Sequence, residues 1–467
     1  MMFEQGRGGG RRRGRRRGGR NRHRGGGFGG GGGPGSGMPP QGGHGGRGGR
    51  GSAPMPAPGS YDPERGMTLE QVAGGVALQE PLPEHPFTPP TMAELYQMGV
   101  LELAREGHGF VRNPASGYEP SPDDPYVPSR LVREYGMRDG CLLAGEVGPP
   151  QRPGQNPVML RPTCIGGVAP HAYRALPAWD DLTVIDPEER IRLTASSSDL
   201  TLRIVDMLCP IGFGQRGLLV SPPRAGKTTV LQKLAQAIER DYPEVYLIVL
   251  LVDERPEEAT FMRRGTQGEV AVSTNDRTPE SHTHLTEVIL KKARRLVEAG
   301  RDVVVLMDSL TRLGRAYNLL AKGGGRTLSG GMDSRTLEKP KAFFGGARKI
   351  EGGGSLTIVA TALIDTGSRL DQVIFEEFKG TGNMELVLDR DLAEQRIWPA
   401  IDVNRSGTRK EEKLLPRELL DRIYLLRRVL NRVAPVQAMG LLGERLEQTR
   451  TNEEFLAQVA QKQKERS

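Results

Sequence analysis

The sequence predicts an α/β domain built on a mostly parallel sheet, preceded by a small all-β barrel and a disordered Gly/Arg-rich tail. Three patterns indicate this order. Residues 1–60 are dominated by glycine and arginine, residues 92–170 carry short strand-like segments broken by turn residues, and longer alternations of strand and helix follow Leu200. At 467 residues the chain is long enough for two or three folded units.

The amino-terminal tail, residues 1–60, contains 25 glycines, 12 arginines and one acidic residue, Glu4. Its net charge is +11 while that of the whole chain is +8, so the other 407 residues sum to −3. We expect the tail to be disordered, because it has too few aliphatic side chains to offset the entropy of ordering. It is either an RNA tether, since flexible arginines neutralise phosphates, or a solubilising segment. Residues 61–91 are Pro-rich and predict a linker.

The cysteines and the apolar runs narrow the class of protein. Cys141, Cys164 and Cys209 are far apart and form no CxxC pair, which excludes a disulfide scaffold and favours buried thiols. No apolar run approaches the roughly 20 residues that cross a bilayer, and the amino terminus lacks the apolar stretch of a secretory signal. We therefore expect a soluble cytoplasmic protein with no membrane partner.

Residues 92–170 predict the barrel. Short apolar stretches alternate there with Gly, Pro, Asn and Asp, which is typical of short strands joined by tight turns. The stretches are Gly99–Ala104, Gly109–Arg112, Asp124–Val127 and Cys141–Gly145. Residues 171–195 are expected to connect the barrel to the larger domain.

Residues 196–467 predict the larger α/β domain. Gly217–Val220 has the pattern of a buried strand, and Thr228–Arg240 places its apolar residues on one helical face. Further strands are predicted at 245–252, 302–307 and 355–363, with a helix at about 284–298. Repeated strand–helix–strand units imply a mostly parallel sheet covered on both faces.

The strongest chemical motif is the octapeptide SPPRAGKT, Ser221–Thr228, which follows a predicted strand and opens a predicted helix. A bound phosphate needs backbone amides at a helix amino terminus, a lysine for the β and γ phosphates and a hydroxyl on Mg²⁺. Gly226, Lys227 and Thr228 supply these parts. Ser221 replaces the usual leading glycine of such loops.

Two carboxylates stand at the ends of other predicted strands. Asp308 ends the strand VVVLMD, where an acid that positions Mg²⁺ is expected. Glu254 follows the strand LIVLLV, and its carboxylate, beside the phosphate loop in the sheet, is our candidate to polarise the attacking water. Each acid alone is equally typical of a solvated strand end or loop. His282 and His284 lack the spacing and the third ligand of a zinc site, and we interpret them as part of a helix entry.

Six segments together resemble the Rho family of transcription termination factors. They are SPPRAGKT, LLVDERPEE, VVVLMDSLTRLGRAYN, ATALIDTGS, EEFKGTGNMEL and IDVNRSGTRKEE, and the resemblance extends over residues 94–467. It implies a RecA-like P-loop ATPase domain, an OB or cold-shock-like barrel, and a homohexameric RNA–DNA helicase that uses ATP and Mg²⁺. It also implies that single-stranded RNA is captured, pulled through the ring and released from RNA polymerase.

The resemblance further implies roles for residues around ATP. Lys227 binds phosphate, Thr228 and Asp308 hold Mg²⁺, Glu254 activates water, and Arg409 is an arginine finger that reaches the neighbouring subunit's site. The remaining residues are the sensors Arg312 and Arg255, the adenine contacts Thr201 and Trp398, and the phosphate-loop residues Arg224, Ala225, Gly226 and Thr229. Arg224 stands where the family often has lysine, which keeps the charge but changes its geometry.

The same resemblance implies two RNA-binding surfaces. On the barrel, Phe110 and Tyr126 match stacking positions, Arg112 a phosphate contact and Asp124 a base-edge acceptor, while His108 replaces an expected phenylalanine. Around the ring's central hole, the expected RNA contacts are Lys322 and Arg326 in one loop and Thr366, Gly367 and Arg369 in another. From residue type alone, Phe110 and Tyr126 are more typical of a barrel core, since large aromatic side chains are usually buried.

Two other functions stay open at this point. One is another RecA-like ring motor, such as a rotary ATPase subunit or a replicative DNA helicase, which RNA-specific stimulation would separate. The other is a non-enzymatic RNA-binding protein in which the tail matters most. The joint presence of Lys227, Thr228, Glu254, Asp308 and Arg409 argues against the second.

Overall fold

The computed structural model describes residues 87–321, 327–328, 332–333 and 335–464. The predictions for the tail, for residues 61–86 of the linker and for the loop residues Lys322 and Arg326 lie outside the described residues. The fold below is built from the remainder.

The barrel follows a short capped helix, α1 (Met92–Gln97). The Thr91 hydroxyl accepts a hydrogen bond from the Glu94 amide, and the Glu94 carboxylate accepts one from the Thr91 amide, so two free amides at the helix start are satisfied. The next elements are β1 Gly99–Leu103, β2 Gly109–Arg112, β3 Tyr126–Val127, α2 Ser129–Tyr135, β4 Leu142–Gly148, β5 Val158–Ile165 and α3 Pro170–Tyr173. The strands close in the order β1-β2-β3-β5-β4, which confirms the predicted barrel. Strand β5 is missing from the sequence prediction because Pro162 interrupts its alternation.

The two faces of the barrel strands carry different side chains. In β2 Gly109 and Val111 are buried, whereas Phe110 and Arg112 are half-buried on the outer face. Tyr126 is also half-buried outside the core. The interior is filled by aliphatic and sulfur-containing residues, including Leu101, Val111, Val127, Leu143, Met159 and Ile165. The interpretation of Phe110 and Tyr126 as barrel core is therefore wrong.

A connecting segment links the barrel to the large sheet. It contains a 3-10 turn at Trp179–Asp181, β6 Val184–Ile185 and β7 Arg190–Ile191, and the large domain then begins with α4 Leu200–Leu208 and β8 Ile211–Gly212. The buried Trp179 ring lies 5.4 Å from the Arg294 guanidinium and 4.5 Å from that of Arg348, and its amide donates to Glu298 at 2.7 Å. These contacts dock the segment onto the large domain.

The large domain contains ten further strands and ten further helices among the described residues. The strands are β9 Arg216–Ser221, β10 Tyr246–Glu254, β11 Glu269–Thr274, β12 Asp302–Asp308, β13 Thr327–Leu328, β14 Met332–Asp333, β15 Arg348–Ile350, β16 Ser355–Leu363, β17 Met384–Val387 and β18 Gly407–Thr408. The helices are α5 Lys227–Asp241, α6 Pro256–Gly265, α7 Pro279–Glu298, α8 Leu310–Leu320, α9 Glu338–Phe344, α10 Arg369–Lys379, α11 Arg390–Glu394, α12 Arg417–Leu430, α13 Pro435–Glu447 and α14 Asn452–Lys464.

The main sheet has the order β11-β10-β12-β16-β9-β17-β18. The first six of these strands are parallel to their neighbours, and β18 is antiparallel to β17. Strand β10 shows that both faces are covered. Leu247 and Val249 pack with α5 on one side, whereas Ile248 and Leu250 pack with α7 on the other. The predicted parallel α/β sheet is confirmed, and it brings the loops after β9, β10, β12 and β16 to one edge.

Helix α7 begins five residues earlier than predicted. The Thr278 hydroxyl accepts a hydrogen bond from the Ser281 amide and Pro279 occupies the first turn, two start signals that extend the helix back to Pro279. His282 and His284 lie in its first two turns, as interpreted from the sequence. None of the described helices is long and apolar enough to cross a membrane.

The three cysteines are buried and free, as predicted from their spacing. Burial raises the pKa of Cys141 and of Cys209 to about 12, so both thiols stay protonated at neutral pH. Their role is packing.

Candidate ATP and RNA sites

The phosphate loop joins the carboxyl end of β9 to the start of α5. Gly226 precedes the helix with a φ of +89°, a left-handed conformation that favours glycine, and Arg224 also has a positive φ of +66°. A Cβ on Gly226 would lie 3.1 Å from the Trp398 ring. The loop therefore aims the first amides of α5 into the space that a phosphate would occupy.

Lys227 is the charge centre of this edge. Its ammonium group contacts Asp308 and lies 3.2 Å from a Glu254 oxygen. Burial disfavours the charged ammonium, but the Asp308 and Glu254 carboxylates outweigh it and raise the pKa of Lys227. These contacts therefore favour the charged ammonium group, which can bind an anionic ligand.

Glu254 is 1% exposed and receives two further donors besides Lys227. The Arg312 guanidinium donates at 3.1 Å and the Arg255 amide at 3.3 Å. Burial, together with the nearby Asp308 charge, raises the pKa of Glu254 although Lys227 and Arg312 oppose the shift. A carboxylate with a raised pKa is a stronger base, which suits the predicted role in polarising water.

The position of Glu254 differs from the expectation in one respect. Strand β10 is not adjacent to β9, because β12 and β16 lie between them. Glu254 still meets the loop since Lys227 extends across the intervening strand ends. Thus the carboxylate is near the loop in space but not in the sheet order.

Three carboxylates at this edge have the composition of a cation site. Oxygens of Glu254, Glu258 and Asp308 lie within 4.8 Å of one another. The Thr228 hydroxyl donates to Glu258 at 2.7 Å, and the buried Thr361 hydroxyl donates to Asp308 at 2.7 Å. Carboxylate and hydroxyl oxygens are the ligands that Mg²⁺ prefers, so these residues fit the expected ion. Glu258, in the first turn of α6, is absent from the sequence prediction, although its place in the acidic run that follows β10 was a usable signal.

A separate cavity of about 290 Å³ lies behind the phosphate loop. It is lined by Leu200, Thr201, Ala225, Gly226, Thr229, Val230, Lys233, Trp398, Pro399 and Ala400. Trp398 is 46% exposed, which leaves a ring face free for stacking. Lys233 donates to the Thr201 hydroxyl at 2.9 Å and pairs with Asp199 at 2.8 Å. The structure thus brings Thr201 and Trp398 together beside the loop, and adds Lys233, which the sequence prediction lacks.

Arg409 lies at the opposite end of the sheet from the phosphate loop. Its amide donates to the Asn383 carbonyl at 2.8 Å, and Met384 pairs with Gly217 near the amino end of β9. The loop follows Ser221 at the carboxyl end, about 13 Å from Gly217 at roughly 3.3 Å per residue. The exposed Arg409 side chain is therefore out of reach of the phosphate loop in its own chain.

The outer face of the barrel carries three rings, His108, Phe110 and Tyr126, which we call the stacking face. The ring centroids are 5.4 to 5.8 Å apart and the rings are tilted or edge-on to one another. All three side chains are half-buried, so their bodies are supported while part of each ring surface is accessible. His108, which replaces the expected phenylalanine, retains its place in the cluster.

Arg112 and Asp124 lie beside this face in a fixed arrangement. Arg112 contacts the Phe110 ring at 5.1 Å, donates to Glu102 at 2.6 Å and donates to Asp124 at 2.7 Å. Asp124 is 2% exposed and also accepts from the Ser121 amide at 2.8 Å. Both donors bond the same oxygen, Oδ2, and the described contacts of Asp124 are those of a support for Arg112. Its predicted base-edge contact stays a prediction.

The loop between β16 and α10 contains Thr366, Gly367 and Arg369. The Thr366 hydroxyl donates to Asp371 at 2.6 Å, and Gly367 has a φ of +78° with nothing within 4 Å of a built Cβ. Arg369 begins α10 and is exposed. The loop is anchored at one side and presents an open backbone and a cation at the other.

Comparison with known proteins assigns both folded parts. Residues 97–171 match the family model of the Rho termination factor RNA-binding domain, and residues 201–408 match that of the nucleotide-binding domain of the ATP synthase alpha/beta family.

Full-length relatives extend the match over most of the chain. Transcription termination factor Rho of Pseudomonas aeruginosa is 48% identical over 367 residues, covering 78% of this chain and 88% of its own. That of Aquifex aeolicus is 49% identical over 366 residues, covering 78% and 84%. That of Streptomyces lividans is 52% identical over 364 residues, covering 77% of this chain and 51% of its own. This chain therefore belongs to the Rho family of transcription termination factors.

Proposed function

We propose that this protein is an RNA-dependent ATPase and RNA–DNA helicase that terminates transcription. The observation that carries the proposal is the presence, in one Rho-family chain, of an accessible stacking face and a buried phosphate-loop edge. The first is built to hold single-stranded RNA, the second to hydrolyse a nucleoside triphosphate.

The residues at the phosphate-loop edge divide the work of hydrolysis. Lys227 and the first amides of α5 hold the phosphates, and the base stacks on Trp398. Glu254 orients and polarises the attacking water, and Arg312 fixes its carboxylate. Mg²⁺, held by the Thr228 hydroxyl and the Asp308 carboxylate with Glu258 close by, would neutralise charge on the β and γ phosphates. Arg224 in the phosphate loop and Arg255 next to Glu254 are exposed and add positive charge.

Arg409 acts on a neighbouring subunit in this proposal. The phosphate loop of the same chain is at the far end of the sheet from Arg409. The Arg409 charge therefore serves catalysis only if a second copy of the chain places its phosphate loop beside Arg409. Closed repetition of such a head-to-tail contact generates a ring, and we propose a homohexamer. Each active site is then shared by two subunits.

RNA enters this proposal at two places. The stacking face captures nascent single-stranded RNA through base stacking, and Arg112 adds positive charge beside the rings. Two loops facing the ring's centre then grip the strand, one with Lys322 and Arg326, the other with Thr366, Gly367 and Arg369. Their movement during ATP turnover pulls RNA from the RNA polymerase elongation complex.

The domain division we propose follows the sequence prediction. Residues 92–170 form the RNA-binding domain, 171–195 the connector and 196–467 the ATPase domain. Residues 1–60 form a Gly/Arg-rich tail and 61–91 a linker. Deletion of the tail should weaken RNA binding at physiological salt if it is a tether, and should leave binding unchanged if it only aids solubility.

Transcript release from a stalled RNA polymerase elongation complex tests the proposal. We expect release with ATP and the wild-type chain, and none with Lys227→Ala, whose phosphate contact is missing. Release that proceeds equally with Lys227→Ala would contradict an ATP-driven mechanism.

A further inference from the structure

A line of hydrogen bonds connects the stacking face to helix α7 of the ATPase domain. His284 Nε2 lies 2.8 Å from one oxygen of Glu102, and Arg112 donates to the other oxygen at 2.6 Å. Arg112 in turn contacts the Phe110 ring and bonds Asp124. Residues 182 positions apart in the chain thus meet beside Phe110, which is the register partner of Glu102 across β1 and β2.

The four polar side chains, Asp124, Arg112, Glu102 and His284, differ in how far they are exposed. The exposed fraction of the side chain is 3% for Asp124 and 12% for Arg112, and it is 23% for Glu102 and 28% for His284. Arg112 is held on both sides by carboxylates, so its guanidinium has little freedom. Glu102 has two cationic or potentially cationic partners, one on the barrel and one on α7.

We propose that His284 is a positioning residue of the barrel RNA site, which through Glu102 orients Arg112 and whose charge sets RNA affinity. The inference rests on the proposed function, because it needs the stacking face to bind RNA. It adds a residue from the ATPase domain to that site, and it makes RNA capture sensitive to pH.

The charges explain the direction of the effect. With His284 protonated, His284, Arg112, Glu102 and Asp124 sum to zero. When His284 is neutral the group carries −1 and repels an approaching phosphate. RNA affinity should therefore fall as the pH rises through the pKa of His284.

The groups around His284 determine the pH at which its charge changes. The hydrogen bond with Glu102 raises the pKa of His284 above its usual 6.5 against the effect of burial, and the Glu119 carboxylate adds to the rise while Arg112 opposes it. The hydrogen bond with His284 lowers the pKa of Glu102 to about 2. Arg112 adds to this shift, and burial opposes it. Lys291, also on α7, is paired with Asp139 of the barrel at 2.8 Å. As a histidine with a raised pKa, His284 changes its charge near neutral pH.

The test is RNA affinity of the full-length chain between pH 5.5 and 8.5, measured by anisotropy with a labelled pyrimidine-rich single-stranded RNA. Three variants are compared with the wild type. His284→Gln keeps a neutral donor, His284→Arg keeps a permanent charge, and His171→Gln removes an exposed histidine as a matched control. His108→Gln tests whether the pH dependence arises at the stacking face itself.

We expect His284→Gln to bind about 3- to 10-fold more weakly than the wild type at pH 6 and equally at pH 8.5, the size of one charge-assisted contact. His284→Arg should retain tight binding at pH 8.5. His171→Gln should match the wild type throughout, and His108→Gln should keep the pH-dependent step at a lower affinity. The maximal ATPase rate at saturating RNA should be unchanged in His284→Gln.

Opposite outcomes are distinguishable. A wild-type pH profile in His284→Gln, or loss of affinity at pH 8.5 in His284→Arg, overturns this inference alone. A wild-type chain that binds no RNA at any pH overturns the proposed RNA capture and this inference together. Equal thermal unfolding midpoints for the variants exclude a folding defect as the cause.

Discussion

The phosphate-loop edge and the stacking face place their charges differently. At the edge, the groups that we propose to act in hydrolysis are in contact with one another: Glu254 and Asp308 are buried, and Lys227 is 16% exposed. On the barrel, the groups that we propose to bind RNA are half-buried rings, and the charges of Arg112 and Glu102 lie beside Phe110.

This difference follows from what each region must do. Hydrolysis requires charges that are desolvated and fixed before the reaction, because an electrostatic contact is then strong and costs no reorganisation. Capture of a flexible polymer requires accessible ring surfaces, with the charges serving to orient the site. Substitutions should therefore separate the two activities cleanly.

The largest effect should come from Arg409. We expect Arg409→Ala to lower kcat for ATP by about 10³- to 10⁵-fold, since it removes the charge that stabilises phosphoryl transfer in the neighbour. RNA affinity of the barrel should not change. Arg405→Ala, which removes another exposed arginine of the same segment, is the control, and steady-state hydrolysis is the measurement. A variant that keeps a tenth of the wild-type rate would show that Arg409 is not the finger.

The second-largest effect should come from Glu254. Glu254→Gln keeps the size of the side chain but removes the base, and a loss of about 10²- to 10⁴-fold in kcat is expected. Because burial raises the pKa of Glu254, the wild-type rate should fall on acidification at a pH above the usual 4.5, as the base becomes protonated. The exposed Glu257→Gln is the matched control. Equal rates for the two variants would exclude Glu254 as the base.

A buried polar cluster between the barrel and the main sheet, which we call the Lys292 cluster, allows a test of stability. Lys292 of α7 contacts Glu269 of β11 and donates to the Tyr118 hydroxyl of the barrel segment at 3.0 Å, and Tyr246 donates to Glu269 at 2.9 Å. Lys292 is fully buried, so Lys292→Met leaves Glu269 without its countercharge. We expect a loss of about 3–5 kcal/mol in the free energy of unfolding.

Lys291→Met is the control for the Lys292 cluster. Lys291 is partly exposed and its pair with Asp139 is near the surface, so its loss should cost less than about 1 kcal/mol. Chemical denaturation of the full chain compares the two variants. Similar midpoints would mean that the Lys292 cluster does not stabilise the contact of barrel and sheet.

The smallest effect concerns a single ring. Phe110→Ala should weaken RNA binding by about 1–3 kcal/mol, the contribution of one stacked base, while kcat at saturating RNA stays the same. Phe261→Ala, which removes an exposed ring from α6 of the ATPase domain, should leave RNA affinity unchanged. A fall in kcat with unchanged RNA affinity in Phe110→Ala would reverse the assignment of the two regions.

Most of the fold could be predicted from local sequence patterns. The strand–loop–helix around SPPRAGKT, the apolar strands of the sheet and the short barrel strands all depend on neighbouring residues, and they were predictable for that reason. The start of α7 was misplaced although Thr278 and Pro279 mark it, because the apolar periodicity becomes clear only later.

Contacts between distant segments could not be predicted in the same way. Nothing near Glu102 or His284 in the sequence indicates that the two side chains meet. The sheet order that separates β10 from β9, and the position of Arg409 at the far strand end, depend on the path of the whole chain. The family resemblance supplied roles for single residues, but not the supports around them.

The most direct test of the account is ATP hydrolysis by the purified chain with no polymer, with pyrimidine-rich single-stranded RNA and with single-stranded DNA of the same sequence. We predict strong stimulation by RNA, little by DNA, and no stimulated hydrolysis in Lys227→Ala. A rate that is the same with and without RNA would contradict the claim that the stacking face and the phosphate-loop edge form one RNA-driven motor.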